Sequence, residues 1–141
     1  MGLTLTAKYN GAPSYDMGYV TFGRLRMAIA NEFSKELGKL YKNWYMCSSD
    51  GFQEKLAMAW LNDELKKRKY KSRAVEFLFM SDCGGKLSPC KCDALLDAIL
   101  DMDNSKRYGY EGRAFGKVMT IKDFKALLHE CYERRCYMEW Y

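Results

Sequence analysis

The stretch RAVEFLFMSDCGGKLSPCKCDALLDAILDM, Arg73 to Met102, decides how this chain is read. An apolar run (Val75, Phe77, Leu78, Phe79, Met80) stops at Ser81-Asp82-Cys83-Gly84-Gly85. Two adjacent glycines tolerate φ > 0 and end a helix. Ser88 precedes Pro89, the pattern of a hydroxyl N-cap followed by proline at the first helical position, where a missing N–H removes no bond. Leu95, Leu96, Ile99 and Leu100 then recur at helical spacing. The stretch therefore predicts helix, tight loop, helix.

Working outward towards the N-terminus, a basic run comes first: Lys66, Lys67, Arg68, Lys69, Tyr70 and Lys71, with Arg73 close by. It closes a predicted helix capped by Ser49 or Asp50 and carried by Phe52, Leu56, Trp60 and Leu65. Cations at a helix C-terminus complement the backbone dipole, and the same run offers a surface to phosphates or to an acidic partner. Further back, Phe22, Leu25, Ile29, Phe33, Leu37, Leu40 and Trp44 fall at steps of three and four. That spacing predicts one long helix from Thr21 to Trp44, with Arg24, Lys35, Lys39 and Lys42 on its solvated side. Residues 3–9 alternate apolar and polar and predict a short strand ended by Asn10-Gly11. Residues 12–18, punctuated by Pro13, Ser14, Asp16 and Gly18, read as loop.

On the C-terminal side, residues 101–113 form a polar loop rich in glycine and tyrosine. Thr120 opens a last helix, with Asp123 three positions on in capping-box style. Ile121, Phe124, Leu127, Leu128 and Cys131 make its apolar face. The closing residues Cys136 to Tyr141 are aromatic enough to dock beside the first strand. The expected fold is a mainly α, α+β single domain over residues 1–141, with four to five helices and a small β element from the termini.

Composition sets the outer limits. Hydrophobic residues at 48% and aromatics at 15% exclude a disordered chain. No apolar run approaches the ~20 residues of a membrane-spanning helix, so no membrane role is expected. The start shows no basic segment followed by an apolar core, so the six cysteines are expected to be reduced thiols in a cytoplasm. A net charge of +5 permits contact with nucleic acid or an acidic protein surface.

Catalytic and metal chemistry find little purchase. If Gly85 were the turn glycine of a calcium loop, Lys91 would stand where the chelating glutamate belongs. The alternative loop at Asp101, Asp103 and Ser105 lacks the next glycine and ends on Gly112. Cys83, Cys90 and Cys92 are spaced Cys-x6-Cys-x-Cys, which is no zinc knuckle. His129, the single histidine, would need Cys83 or another thiol beside it to form a Cys–His dyad. There is no nucleophile elbow, no phosphate-binding glycine loop and no dinucleotide fingerprint. Neither catalytic residues nor a metal or cofactor are expected.

Binding is the remaining class. Tyrosines beside arginines suit protein interfaces and base-stacking platforms alike. The expected partner-binding residues are Lys66, Lys67, Arg68, Lys69, Tyr70 and Arg73 at the basic end, with Arg107, Tyr108, Tyr110 and Arg113 in the loop. Tyr15, Tyr19, Tyr137 and Trp140 are further aromatics that no core stripe claims.

Four pieces carry a resemblance: YVTFGRLRMAIA (from Tyr19), EFLFMSDCGGKLSPCKC (from Glu76), RYGYEGR (from Arg107) and FKALLHECYERRCYMEWY (from Phe124). In order, and over most of the chain, they resemble a group of small uncharacterised proteins of Firmicutes and their phages. Members carry Asp-Cys-Asp-Gly in the central turn, where this chain has Asp82-Cys83-Gly84-Gly85, one carboxylate fewer. The resemblance implies a cytosolic accessory protein of a phage or mobile element. By analogy it implies a stoichiometric inhibitor of host defence, such as an anti-CRISPR protein acting on an RNA-guided nuclease. The expected partner is a host protein or ribonucleoprotein. The alternatives are direct nucleic-acid or nucleotide binding, and a metal- or thiol-dependent protein built on Cys83, Cys90 and Cys92.

Overall fold

A computed structural model describes residues 2–47, 75–81, 83–109 and 118–141. Among them are four α-helices: α1 Tyr19–Phe33, α2 Lys35–Cys47, α3 Pro89–Ala98 and α4 Ile121–Glu133. The strands are β1 Gly2–Ala7, β2 Tyr15–Gly18, β3 Gly85–Leu87, β4 Arg107–Tyr108, β5 Met119–Thr120 and β6 Met138–Trp140. The fold is α+β, with a small antiparallel sheet to which both termini contribute, in line with the sequence.

That sheet runs β2-β1-β6-β3, antiparallel throughout. Its register sets Leu5 against Tyr15 on one side and Trp140 on the other, and Leu87 against Met138. Alternation then sends Leu3, Leu5, Ala7, Tyr15, Met17, Leu87, Met138 and Trp140 to one buried face. The helices close over this face with Phe22, Leu25 and Ile29 of α1, Leu37, Leu40 and Tyr41 of α2, Leu95 of α3, and Phe124, Leu127 and Leu128 of α4. A second, two-stranded ladder pairs Arg107 with Thr120 and Tyr108 with Met119.

Three local readings need correction. The apolar stripe from Phe22 to Trp44 does not lie on one helix: Ser34 is extended (φ −172, ψ 157) and separates α1 from α2. Ser34 serves both ends. Its N–H donates to the Ala30 carbonyl, and its Oγ accepts from the Leu37 N–H at 3.0 Å. A serine side chain that can cap offers the backbone this alternative to a continuous helix. Gly38 then packs so closely on the Asn31 side chain that a Cβ would overlap it.

Residues 15–18, read as loop, form β2, because Tyr15 and Met17 alternate inward despite the flanking turn residues. The segment around Val75 ends in a 3-10 turn, Glu76–Phe79, and the tight loop after it contains β3. Gly84 and Gly85 are not used for positive φ, which among the described glycines occurs at Gly11 and Gly109. Gly85 is needed for space, since a Cβ there would overlap the Trp140 indole.

Of the helix starts, that of α1 is Tyr19 after Gly18 and not Thr21, while those of α3 and α4 fall where the sequence puts them. Thr120 and Asp123 make the full capping box, with Thr120 N–H donating to Asp123 Oδ2 at 3.0 Å and Asp123 N–H to Thr120 Oγ at 3.1 Å. Ser88 is the N-cap of α3 by backbone geometry, although its hydroxyl makes no cap bond. Leu100, placed on that helix's apolar face by spacing, lies beyond its end and is exposed.

Candidate functional site

The core is organised around a buried cation. Arg26, on α1, is 2% exposed. Its guanidinium carbon lies 4.3 Å from the Phe22 ring centre, 5.2 Å from that of Phe77 and 5.8 Å from that of Trp140. The three rings pack on one another edge-on or tilted, at 5.4–5.8 Å. Quadrupoles of aromatic faces attract a cation, more strongly when water is excluded. Nη1 of Arg26 donates to the Met80 carbonyl at 2.6 Å, and Nε1 of Trp140 donates to the Ser81 carbonyl at 2.9 Å. The turn leading to Cys83 is thereby fixed to α1 and to β6. Sequence reasoning does not single out Arg26. The available signal was its place four residues after Phe22, on the apolar side of α1.

On the other face of the sheet the chemistry is different. Tyr137, Glu139 and Tyr141 alternate with the buried Met138 and Trp140, so they point outward together. Tyr137 is 41% exposed and Tyr141 is 66% exposed. The ladder runs past β6 at both ends: Lys8 N–H donates to the Tyr137 carbonyl, and Thr4 and Tyr141 exchange two backbone bonds of 2.8 and 3.1 Å. Lys8 thus stands beside Tyr137. Lys86, paired in register with Glu139, places its ammonium 5.3 Å from the Tyr137 ring centre. Asp16 completes the face at β2 and accepts from the Thr4 hydroxyl at 2.6 Å. The result is a solvated sheet face carrying two exposed tyrosines and two exposed lysines.

Of the residues singled out from the sequence, Lys66, Lys67, Arg68, Lys69, Tyr70, Arg73, Tyr110 and Arg113 lie outside the described residues. Arg107 is exposed at the start of β4. Tyr108 is turned inward and only 6% exposed, and burial raises its hydroxyl pKa. Its ring belongs to the core rather than to a surface, a correction to the expected partner-binding set. Arg107 and Tyr108 face opposite ways because neighbours on a strand must.

Cys83 and Cys90 are exposed while Cys92 is buried, so this run does not converge. Among the described residues, no group of three or more His, Cys, Asp or Glu side chains is placed to hold a metal ion. His129 is exposed on α4.

The would-be calcium loop already has a cation of its own. Nζ of Lys125, from α4, donates to the carbonyls of Leu100 and Met102 at 2.8 and 2.9 Å and to Oδ1 of Asn104 at 2.8 Å. Oδ1 of Asp103 accepts the Ser105 N–H at 2.9 Å and its hydroxyl at 2.7 Å, and these bonds hold the carboxyl below the usual carboxylate range. An open cleft of about 510 Å³, lined by Pro89, Cys90, Tyr132, Glu133 and Arg135, lies where the start of α3 meets the end of α4.

No helix among the described residues is long and apolar enough to cross a membrane. Comparison with protein-family models, with curated proteins and with solved structures finds no match to this chain.

Proposed function

We propose that this protein is a non-catalytic binding protein that acts by occupying a macromolecular partner. The kind of partner follows from the resemblance to small proteins of Firmicutes and their phages: a host defence complex such as an RNA-guided nuclease, inhibited in the manner of an anti-CRISPR protein. The observation that carries the binding reading is the outer sheet face, with Tyr137 and Tyr141 exposed beside Lys8 and Lys86. Tyrosine at an interface contributes large area at low entropic cost, and isolated exposed tyrosines on a packed sheet are well placed to do so. The Lys66–Arg68 run and Arg107 are further contact candidates on the strength of their charge.

The test is capture of host partners by the tagged chain, with and without nuclease treatment, comparing wild type with the double variant Tyr137→Ala, Tyr141→Ala. One stoichiometric host protein or ribonucleoprotein, lost with the double variant, is the expected result. Equal capture by both proteins removes the sheet face from the reading. Charge reversal at Lys66, Lys67 and Arg68 tests the basic end in the same assay.

The second reading is direct binding of single-stranded nucleic acid. The Lys86–Tyr137 pair favours it, because base stacking on a tyrosine contributes about 1–3 kcal/mol and a neighbouring lysine reaches a phosphate. Its mark is affinity that falls steeply with salt. A complex indifferent to salt excludes it.

A further inference from the structure

Helix α4 does not end on glycine. Arg134 is its C-cap, and Arg135 follows at φ 54, the left-handed conformation that glycine normally fills. The Arg135 N–H donates to the Tyr132 carbonyl at 3.2 Å, and the Cys136 N–H donates to the Cys131 carbonyl at 3.0 Å. These are the two bonds of a Schellman motif, and such a motif brings together the side chains at its first and last positions. Here both are cysteines. The Cys131 thiol is near enough to Cys136 on one side and to Cys92 of α3 on the other for each to influence its ionisation.

The three thiols differ in access. Cys92 and Cys131 are fully buried, and the Cys92 thiol is committed to the Leu87 carbonyl at 3.6 Å. Cys136 is partly exposed.

We infer that Cys131 and Cys136 form a dithiol/disulfide couple that exchanges with low-molecular-weight disulfides, covalently closing the cap between α4 and β6. Cys136, the accessible member, attacks a disulfide RSSR as thiolate, forming Cys136–S–SR and releasing RS⁻, which takes up a proton. The Cys131 sulfur then attacks the Cys136 sulfur, forming the Cys131–Cys136 bond. It expels a second RS⁻, which takes the Cys131 proton. Two protein thiols are oxidised and one RSSR is reduced to two RSH. The contact with Cys92 and burial push the Cys131 thiol pKa up, and burial pushes that of Cys136 up, so exchange is slow and is read at equilibrium. The bridge fixes the chain just before β6, next to Tyr137.

The experiment equilibrates the full chain with oxidised glutathione, alkylates remaining thiols under denaturing conditions and maps tryptic peptides without reduction. Trypsin cuts after Arg134 and Arg135, so a Cys131–Cys136 bridge appears as peptides 126–134 and 136–141 joined. The joined pair is expected in wild type and in Cys92→Ser. It is absent from Cys136→Ser and lost on adding dithiothreitol. The bridged protein keeps or raises its thermal midpoint. Cys131 joined to Cys92 overturns the inference. So does glutathione on Cys83 and Cys90 with Cys131 and Cys136 still alkylated, or a midpoint that falls on bridging. Should Cys92→Ser fail to fold, the wild-type map decides alone.

Discussion

Arg26 is the buried cation that ties α1 to the aromatic cluster of the core. Its charge is buried against three aromatic faces, and its fork holds the carbonyl of Met80 from 54 residues away. Replacing it with methionine keeps the stem but leaves that carbonyl without its donor. Arg26→Met is expected to lower stability by about 2–4 kcal/mol, summing one charge-assisted hydrogen bond and the cation–aromatic attraction. Urea unfolding checks this, and a loss under ~1 kcal/mol would place the burden of the site on the rings instead.

Asp103 offers a subtler test. Ser105 lowers its carboxyl pKa from 3.8, so the charged form is favoured in the folded chain. A depressed carboxyl stabilises above its unfolded pKa, and that contribution is lost as pH falls through the folded value. Ser105→Ala is expected to move the Asp103 titration upward towards the ordinary carboxylate range, read by NMR. The folded protein should then lose less stability in acid than wild type does.

The loop between α3 and β4 has the outline of a cation site and a solution that needs no ion. Lys125 reaches back from α4 to three oxygens that would otherwise face one another with no donor between them. Lys125→Met is expected to reduce stability by about 1–2 kcal/mol and to loosen the loop, seen as faster amide exchange over residues 100–106. Calcium should leave the wild-type thermal midpoint unchanged. A calcium-dependent rise would show that the ion displaces the ammonium. The same economy holds at α4's two ends: a capping box of Thr120 and Asp123 starts it, and a Schellman motif through Arg135 stops it. Ser34 shows the opposite case, in which one capping side chain divides a periodic stripe into α1 and α2.

For the molecule as a whole, the two chain ends close the sheet. β6 pairs with β1 on one side and β3 on the other, and its Trp140 sits among Phe22, Phe77 and Arg26. The sheet is therefore incomplete until residues over a hundred positions apart have met, which makes these contacts slow to form and mutually dependent. Removal of residues 138–141 is expected to abolish the cooperative thermal transition and the near-ultraviolet dichroism of the aromatic cluster. A truncated chain that still melts cooperatively would show that the helices alone suffice.

The two faces of this sheet divide the labour. One is apolar and built into the core; the other carries Tyr137, Tyr141, Lys8 and Lys86 to solvent. Pairing β6 between two neighbours fixes Tyr137 and Glu139 relative to Lys8 and Lys86, which is the condition for using that outer face as a contact surface.

What could be read from the residues alone was whatever depends on neighbours a few positions away. The strand at Leu3, the Ser88-Pro89 helix start, the Thr120–Asp123 box, the apolar face of α4 and the aromatic closing strand all belong there, because turns, caps and alternation are short-range. The partners of Arg26, Trp140 and Lys125 lie 54, 59 and up to 25 residues away. No local pattern announces those meetings. The same is true of β2, whose four residues become a strand only because β1 lies beside them, and of Gly85, which must be glycine only because an indole arrives against it. Tyr108 and Tyr137 looked alike in sequence, and packing alone sent one inward and left the other outside.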